Sequence, residues 1–171
     1  SLQKKYSTSE RVELVNMALG KKEGEGKIFT GESSTLATMS KDWISKVEKT
    51  GRFGNEVWDK SQAVRITTLD KLIEKYGLPN FCKIDVEGFE FEVLSGLSKP
   101  IKALSFEFAS ESLELTEKCI QLLSKIGKYK FNYSNDESMQ FVLEEWADDS
   151  DIVKILNHLK DGSCGDVYAI L

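Results

Sequence analysis

The sequence holds one histidine, two prolines and three cysteines in 171 residues. Each scarcity excludes something. A single histidine cannot build a histidine-rich metal site. His158 also lies in a helical stretch, Asp151 to Lys160, whose apolar positions Ile152, Ile155, Leu156 and Leu159 fall on the other face. A Ser-His-Asp or Cys-His hydrolase must hold its base in a supported geometry, so a lone solvent-facing histidine argues against that class. Cys82, Cys119 and Cys164 are odd in number, far apart and form no C-x-x-C pair, which leaves neither a disulfide framework nor a zinc site. They are expected to be reduced, structural thiols in a cytoplasmic protein.

Other absences narrow the field further. No apolar run approaches the roughly 20 residues that span a bilayer, so no membrane partner is expected. Ser1-Leu2-Gln3-Lys4-Lys5 has no apolar core behind it, so no secretory leader is expected. The net charge of −5 argues against general nucleic-acid binding, which needs a basic face to neutralise phosphates. Gly24 and Gly26 precede no helix and no Lys-Ser/Thr, so they read as a hairpin turn and not as a phosphate loop.

What remains is an ordinary globular composition, 40% hydrophobic and 30% charged, in a length that fits a single domain over residues 1–171. Val12 to Leu19 reads as a buried strand and Lys27 to Thr30 as a short one. Asp42 to Glu48 reads as a helix with Trp43, Ile44 and Val47 on one face. Phe53 and Trp58 are expected to contribute to the core. Val64 to Ile66 alternates like an edge strand, and Thr67 and Asp70 have capping-box spacing ahead of a helix that Gly77 and Pro79 stop. Phe81 to Ile84, Ala103 to Phe108, Lys128 to Ser134 and Asp166 to Leu171 read as strands. Residues 112 to 126 form the clearest helix, with Leu115, Cys119, Leu122, Leu123 and Ile126 on one face. Met139 to Trp146 completes a hairpin with the strand before it. Seven acids and no base run from Asp136 to Asp151, as on a solvated face. The expected architecture is α/β: a mostly parallel sheet with an antiparallel edge.

The most informative stretch is Lys83-Ile84-Asp85-Val86-Glu87-Gly88-Phe89-Glu90, followed by Leu94 and Gly96. An apolar strand ends in a carboxylate, turns at a glycine and enters a helix. Ligands of open α/β sheets bind beyond the carboxyl ends of the strands, where Asp85 and Glu87 would stand. Carboxylates are also favoured near helix N-termini for structural reasons alone. Glu107 sits near the end of the next strand.

This stretch resembles the signature of the FkbM-type methyltransferases. Thr68-Leu69-Asp70 upstream, Ala18-Leu19-Gly20 after a strand, Ser33-Ser34 in the next loop, and Ser105-Phe106-Glu107 follow that family's order of features. The resemblance implies a Rossmann-like sheet and S-adenosylmethionine as cofactor. It further implies transfer of a methyl group to a hydroxyl of a sugar or small natural product. By the same resemblance Asp85 would lie beside the methyl donor and acceptor. Glu87 and Glu107 join it as candidate catalytic carboxylates, and Asn16, Met17 and Ala18 would lie near the adenine. The strand and glycine-rich turn that open such enzymes have no counterpart here, so the chain is expected to correspond to the C-terminal part of such a domain, its N-terminal part missing. Two other readings stay open: Asp85, Glu87 and Glu107 holding magnesium or manganese for transferase chemistry, and a non-catalytic α/β module that binds a partner.

Overall fold

Two sheets, not one, organise the chain. The computed structural model describes residues 2–6, 8–136, 138 and 140–171. Ser1, Glu137 of the acidic run, and Met139 at the expected start of a strand lie outside the described residues. The first sheet joins β1 (Ala18–Leu19), β2 (Gly24–Thr30) and β3 (Lys60–Thr67) in the order β1-β3-β2. The second joins β4 (Cys82–Ile84), β5 (Ala103–Ala109), β6 (Lys130–Asn135) and β7 (Cys164–Ile170) in the order β4-β5-β7-β6. The helices are α1 (Leu2–Tyr6), α2 (Lys41–Thr50), α3 (Leu69–Tyr76), α4 (Glu90–Leu94), α5 (Leu113–Ile126) and α6 (Asp149–Asn157). None is long and apolar enough to cross a membrane.

The α/β class holds, but the expectation of a mostly parallel sheet does not. Among the described residues only β1-β3 and β4-β5 run parallel; β2-β3, β5-β7 and β6-β7 are antiparallel. The physical reason is long-range pairing. β7 returns beside β5 in the opposite sense and brings β6 with it, so two of the three pairings in the larger sheet are antiparallel, not merely the one at its edge.

Strand alternation sets the two faces of that sheet. Ile84, Phe106, Phe108, Val167, Ala169, Phe131 and Tyr133 are buried. They share one core with Val93, Leu94, Ile120, Leu123, Ile152 and Leu156 of the helices. Tyr129 fixes the entry to β5: its hydroxyl donates to the Ile101 carbonyl at 2.7 Å and accepts from the Ile101 N–H at 2.9 Å. The opposite positions, Lys83, Ser105, Glu107, Asp166 and Tyr168, put polar groups on the other face.

Several local expectations change. Val12 to Asn16 is exposed and outside any strand. Strand pairing begins only at Ala18↔Ile66, and the stretch before it finds no layer to pack on. Gly24 and Gly26 lie inside β2 and not in the turn. A Cβ at Gly26 would approach Met39 Cε to 2.6 Å and Ile66 Cδ1 to 2.9 Å, so glycine lets the sheet close on those side chains. The Val64–Ile66 strand is central in its sheet and not at an edge, because β2 pairs along seven residues of it. Thr68, not Thr67, caps α3 by accepting from the Lys71 N–H at 3.2 Å, and Asp70 instead accepts from the Ser98 N–H.

Residues 140–146 form no strand. The Asn132 side chain takes both backbone groups of Leu143, at 2.9 and 3.0 Å, and so replaces a ladder there. The three cysteines are free, and His158 is exposed at the end of α6.

Phe106 has no exposed surface and sits at the centre of this core. Phe106→Ala is expected to cost about 3–5 kcal/mol by transfer and cavity formation together. Urea denaturation measures this, and a loss below about 1 kcal/mol would contradict the core described here.

Candidate active site

The turn that follows β4 carries the site. Cys82 to Ile84 pairs with β5, and Asp85 emerges where the pairing ends. Glu87 then takes φ 51° and Gly88 φ 80°, both left-handed. Glycine is required at 88, since a Cβ there would also run into the Trp43 ring. Glu87 has no such freedom, and a non-glycine residue in this region costs on the order of 1–2 kcal/mol. Its neighbours hold it there. The Thr38 hydroxyl donates to the Glu87 carbonyl at 2.6 Å and accepts from the Ser40 N–H at 2.9 Å. The Glu90 carboxylate accepts from the N–H of Gly88 at 3.1 Å and of Val86 at 3.4 Å.

This turn brings three of the sequence-derived candidates together. Carboxylate oxygens of Asp85, Glu87 and Glu107 all lie within 4.8 Å of one another. Asp85 is about half exposed, whereas Glu87 and Glu107 are partly buried. Lys83 bridges Asp166 at 2.7 Å and Asp85 at 3.5 Å. Arg52 is paired with Glu111 at 2.8 Å, close enough to act on the cluster electrostatically.

Burial, then the charges of Asp85 and Glu90, push the Glu87 carboxyl up to about 7, against the pull of Arg52. Burial and the charges of Glu87, Asp85 and Glu90 push Glu107 up to about 8. Burial also raises Glu90, opposed by the N–H groups it accepts from. For Lys83, burial works against the charge, but the bond to Asp166 and the charges of Asp166 and Asp85 outweigh it and raise the value.

Asn16, Met17 and Ala18 are not gathered into this cluster. Asn16 and Met17 precede β1, Ala18 opens it, and no hydrogen bond or ion pair among the described residues joins them to the carboxylates. Phe53 and Trp58 pack on Trp43, tilted and edge-on with ring centroids 5.7 and 5.5 Å away, and so form an aromatic cluster apart from the main core that the sequence predicts for them.

Sequence reasoning did not single out Lys83, Asp166, Thr38 or Arg52. Lys83 stands two residues before Asp85 on the same strand face, a signal that period-2 alternation offers. Asp166 lies directly opposite Glu107 only through the β5-β7 register. Thr38 and Arg52 arrive from remote loops, with no sequence signal.

Such a cluster can do two things. A carboxyl whose value lies near neutrality can take up or release a proton. Three convergent carboxylates can also bind a hard cation through oxygen.

The raised values make stability depend on pH. As pH rises through the ordinary glutamate value of 4.5, the unfolded chain loses protons that the native cluster keeps until about 7 and about 8. Stability therefore declines across that window. Glu107→Gln is expected to shallow the decline in Tm between about pH 5 and about pH 9, and an unchanged slope would contradict this electrostatic assignment.

Two searches, one of curated proteins and one of solved structures, found no match to this chain. The family of the methyltransferase FkbM domain matches residues 2–159. That span takes in the strand, the carboxylate turn and all three clustered acids. The chain belongs to the FkbM methyltransferase family.

Proposed function

We propose that the chain acts in S-adenosylmethionine-dependent methylation of a hydroxyl on a sugar or small natural product. The observation that carries this reading is the convergence of Asp85, Glu87 and Glu107 where β4 and β5 end, in a chain of this family. The donor set suits the cofactor in charge, because the exposed Asp85 carboxylate at this rim complements a sulfonium. S-adenosylmethionine supplies, when bound, an activated methyl group on that cationic sulfur.

The chain's own residues would do the rest. Asp85, the most exposed of the three and steadied by Lys83, orients the acceptor by accepting a hydrogen bond from a second hydroxyl beside the reacting one. Glu87, with its value near 7, takes the hydroxyl proton as the oxygen is methylated. Glu107 beside it keeps its own proton up to about 8, which limits the charge the cluster carries. A cleft of about 670 Å³ opens beside the same turn, lined by Phe29, Met39, Trp43, Gly88, Phe89 and several lysines. It lies in the size range of small-molecule sites and gives an acceptor room.

Asp85→Asn is expected to lower methyl transfer at least about 100-fold, in the range of lost acid–base and orienting groups, while leaving Tm near that of the parent. Transfer of labelled methyl from S-adenosylmethionine to a panel of hydroxyl acceptors measures this. Near-parental turnover would remove Asp85 from the mechanism.

The oxygen spacing within the cluster also favours a second reading, in which the same carboxylates hold magnesium or manganese. On that reading either ion raises the Tm of the parent and fails to raise that of Asp85→Asn. No shift in the parent would dismiss it.

A further inference from the structure

Glu90 is the most deeply buried carboxylate of the motif, 3% exposed, yet it is not one of the three that converge. Its Oε1 accepts from the N–H of Val86 and the N–H of Gly88, the two amides that flank Glu87. Across the turn, the carbonyl of Glu87 itself is taken by the Thr38 hydroxyl. Thr38 is 1% exposed, and its backbone pairs in both directions with Phe29, so this hydroxyl is fixed to β2. The backbone around Glu87 is thus held at the Val86 N–H, the Glu87 carbonyl and the Gly88 N–H, while Glu87 keeps a left-handed φ of 51° that its side chain disfavours.

We propose that Glu90, with Thr38 opposite, is a positioning residue of the methyl-transfer site. It acts through Glu87, holding that backbone left-handed so that the Glu87 carboxylate meets Asp85 and Glu107. The inference rests on the reading of that cluster as the reacting site, but the conformational part stands independently of it.

Two features give the clamp its specificity. The acceptor must reach both amides from the first residue of α4, which a glutamate or glutamine chain length does and an aspartate does not. The bonds need an sp² oxygen and not a charge, so an amide oxygen can replace the carboxylate. At Thr38 the requirement is a hydroxyl, which donates to the Glu87 carbonyl and accepts from Ser40 at once.

The test uses the full chain and four variants: Glu90→Gln, Glu90→Asp, Thr38→Ser and Thr38→Val. The φ of Glu87 is read from backbone chemical shifts, with amide hydrogen exchange of Val86 and Gly88 alongside. Glu90→Gln and Thr38→Ser are expected to keep the left-handed φ and the parental protection. Glu90→Asp is expected to lose protection at both amides by at least about tenfold, the exchange equivalent of one lost hydrogen bond. In Glu90→Asp and Thr38→Val, Glu87 is expected to relax to negative φ. Methyl transfer with labelled S-adenosylmethionine and methyl glycosides as acceptors is then expected to fall at least about tenfold in kcat in the same two variants, with the KM for the cofactor unchanged. Unchanged φ and protection in Glu90→Asp would overturn the clamp. A conformational loss in Glu90→Asp that Glu90→Gln does not rescue would overturn it equally, since the role would then be the charge. If none of the proteins, parent included, transfers methyl, the methyltransferase reading fails while the exchange data still decide the clamp.

Discussion

The turn between β4 and α4 adopts a conformation that its own residues do not favour, and the site exists because the surrounding fold supplies the difference. Glu87 stands left-handed without being glycine. Hydrogen bonds to the backbone of Val86, Glu87 and Gly88 hold it there, from Glu90 within the motif and Thr38 outside it. Trp43 seals the turn by packing against Gly88, and Phe53 and Trp58 support Trp43 from behind. Each of these groups depends on a different part of the chain: α2, the loop after it, the Thr38 segment bridged to β2, and α4. The two sheets are therefore tied to one another at the point where the chemistry is proposed.

That convergence has an electrostatic consequence. Asp85, Glu87 and Glu107 stand close together, the two glutamates partly buried, and Glu90 adds a fourth carboxylate nearby. Lys83 and Arg52 temper the field, but both already hold partners, Asp166 and Glu111. The cluster relieves its own repulsion by keeping protons that isolated glutamates would release. A group able to exchange a proton near neutrality follows from burial and crowding, with no histidine involved.

The reach of the sequence can be judged residue by residue. Asp85, Glu87 and Glu107 were legible because strand ends in α/β folds carry ligand chemistry, and because the motif around them is distinctive. The α3 and α5 helices were legible from their apolar spacing. The strand pairing was not. Whether β7 runs with or against β5 depends on long-range packing, and nothing in Asp166 to Leu171 encodes its direction. Val12 to Leu19 has the composition of a buried strand, but burial needs a covering layer and not composition alone. Residues 140–146 alternate like a strand, yet Asn132 captures Leu143 through its side chain and ends the ladder. Glu90 was visible as part of the motif, but its role depends on where two backbone amides point, which spacing does not reveal.

The central claim is that burial and crowding at this turn create carboxyls that titrate near neutrality. The most direct measurement is a carbon-detected NMR titration of the glutamate side chains, assigned with Glu87→Gln and Glu107→Gln. The account predicts two carboxyls titrating at about 7 and about 8, each absent from its own variant. All glutamates titrating near the ordinary value of 4.5 would contradict it.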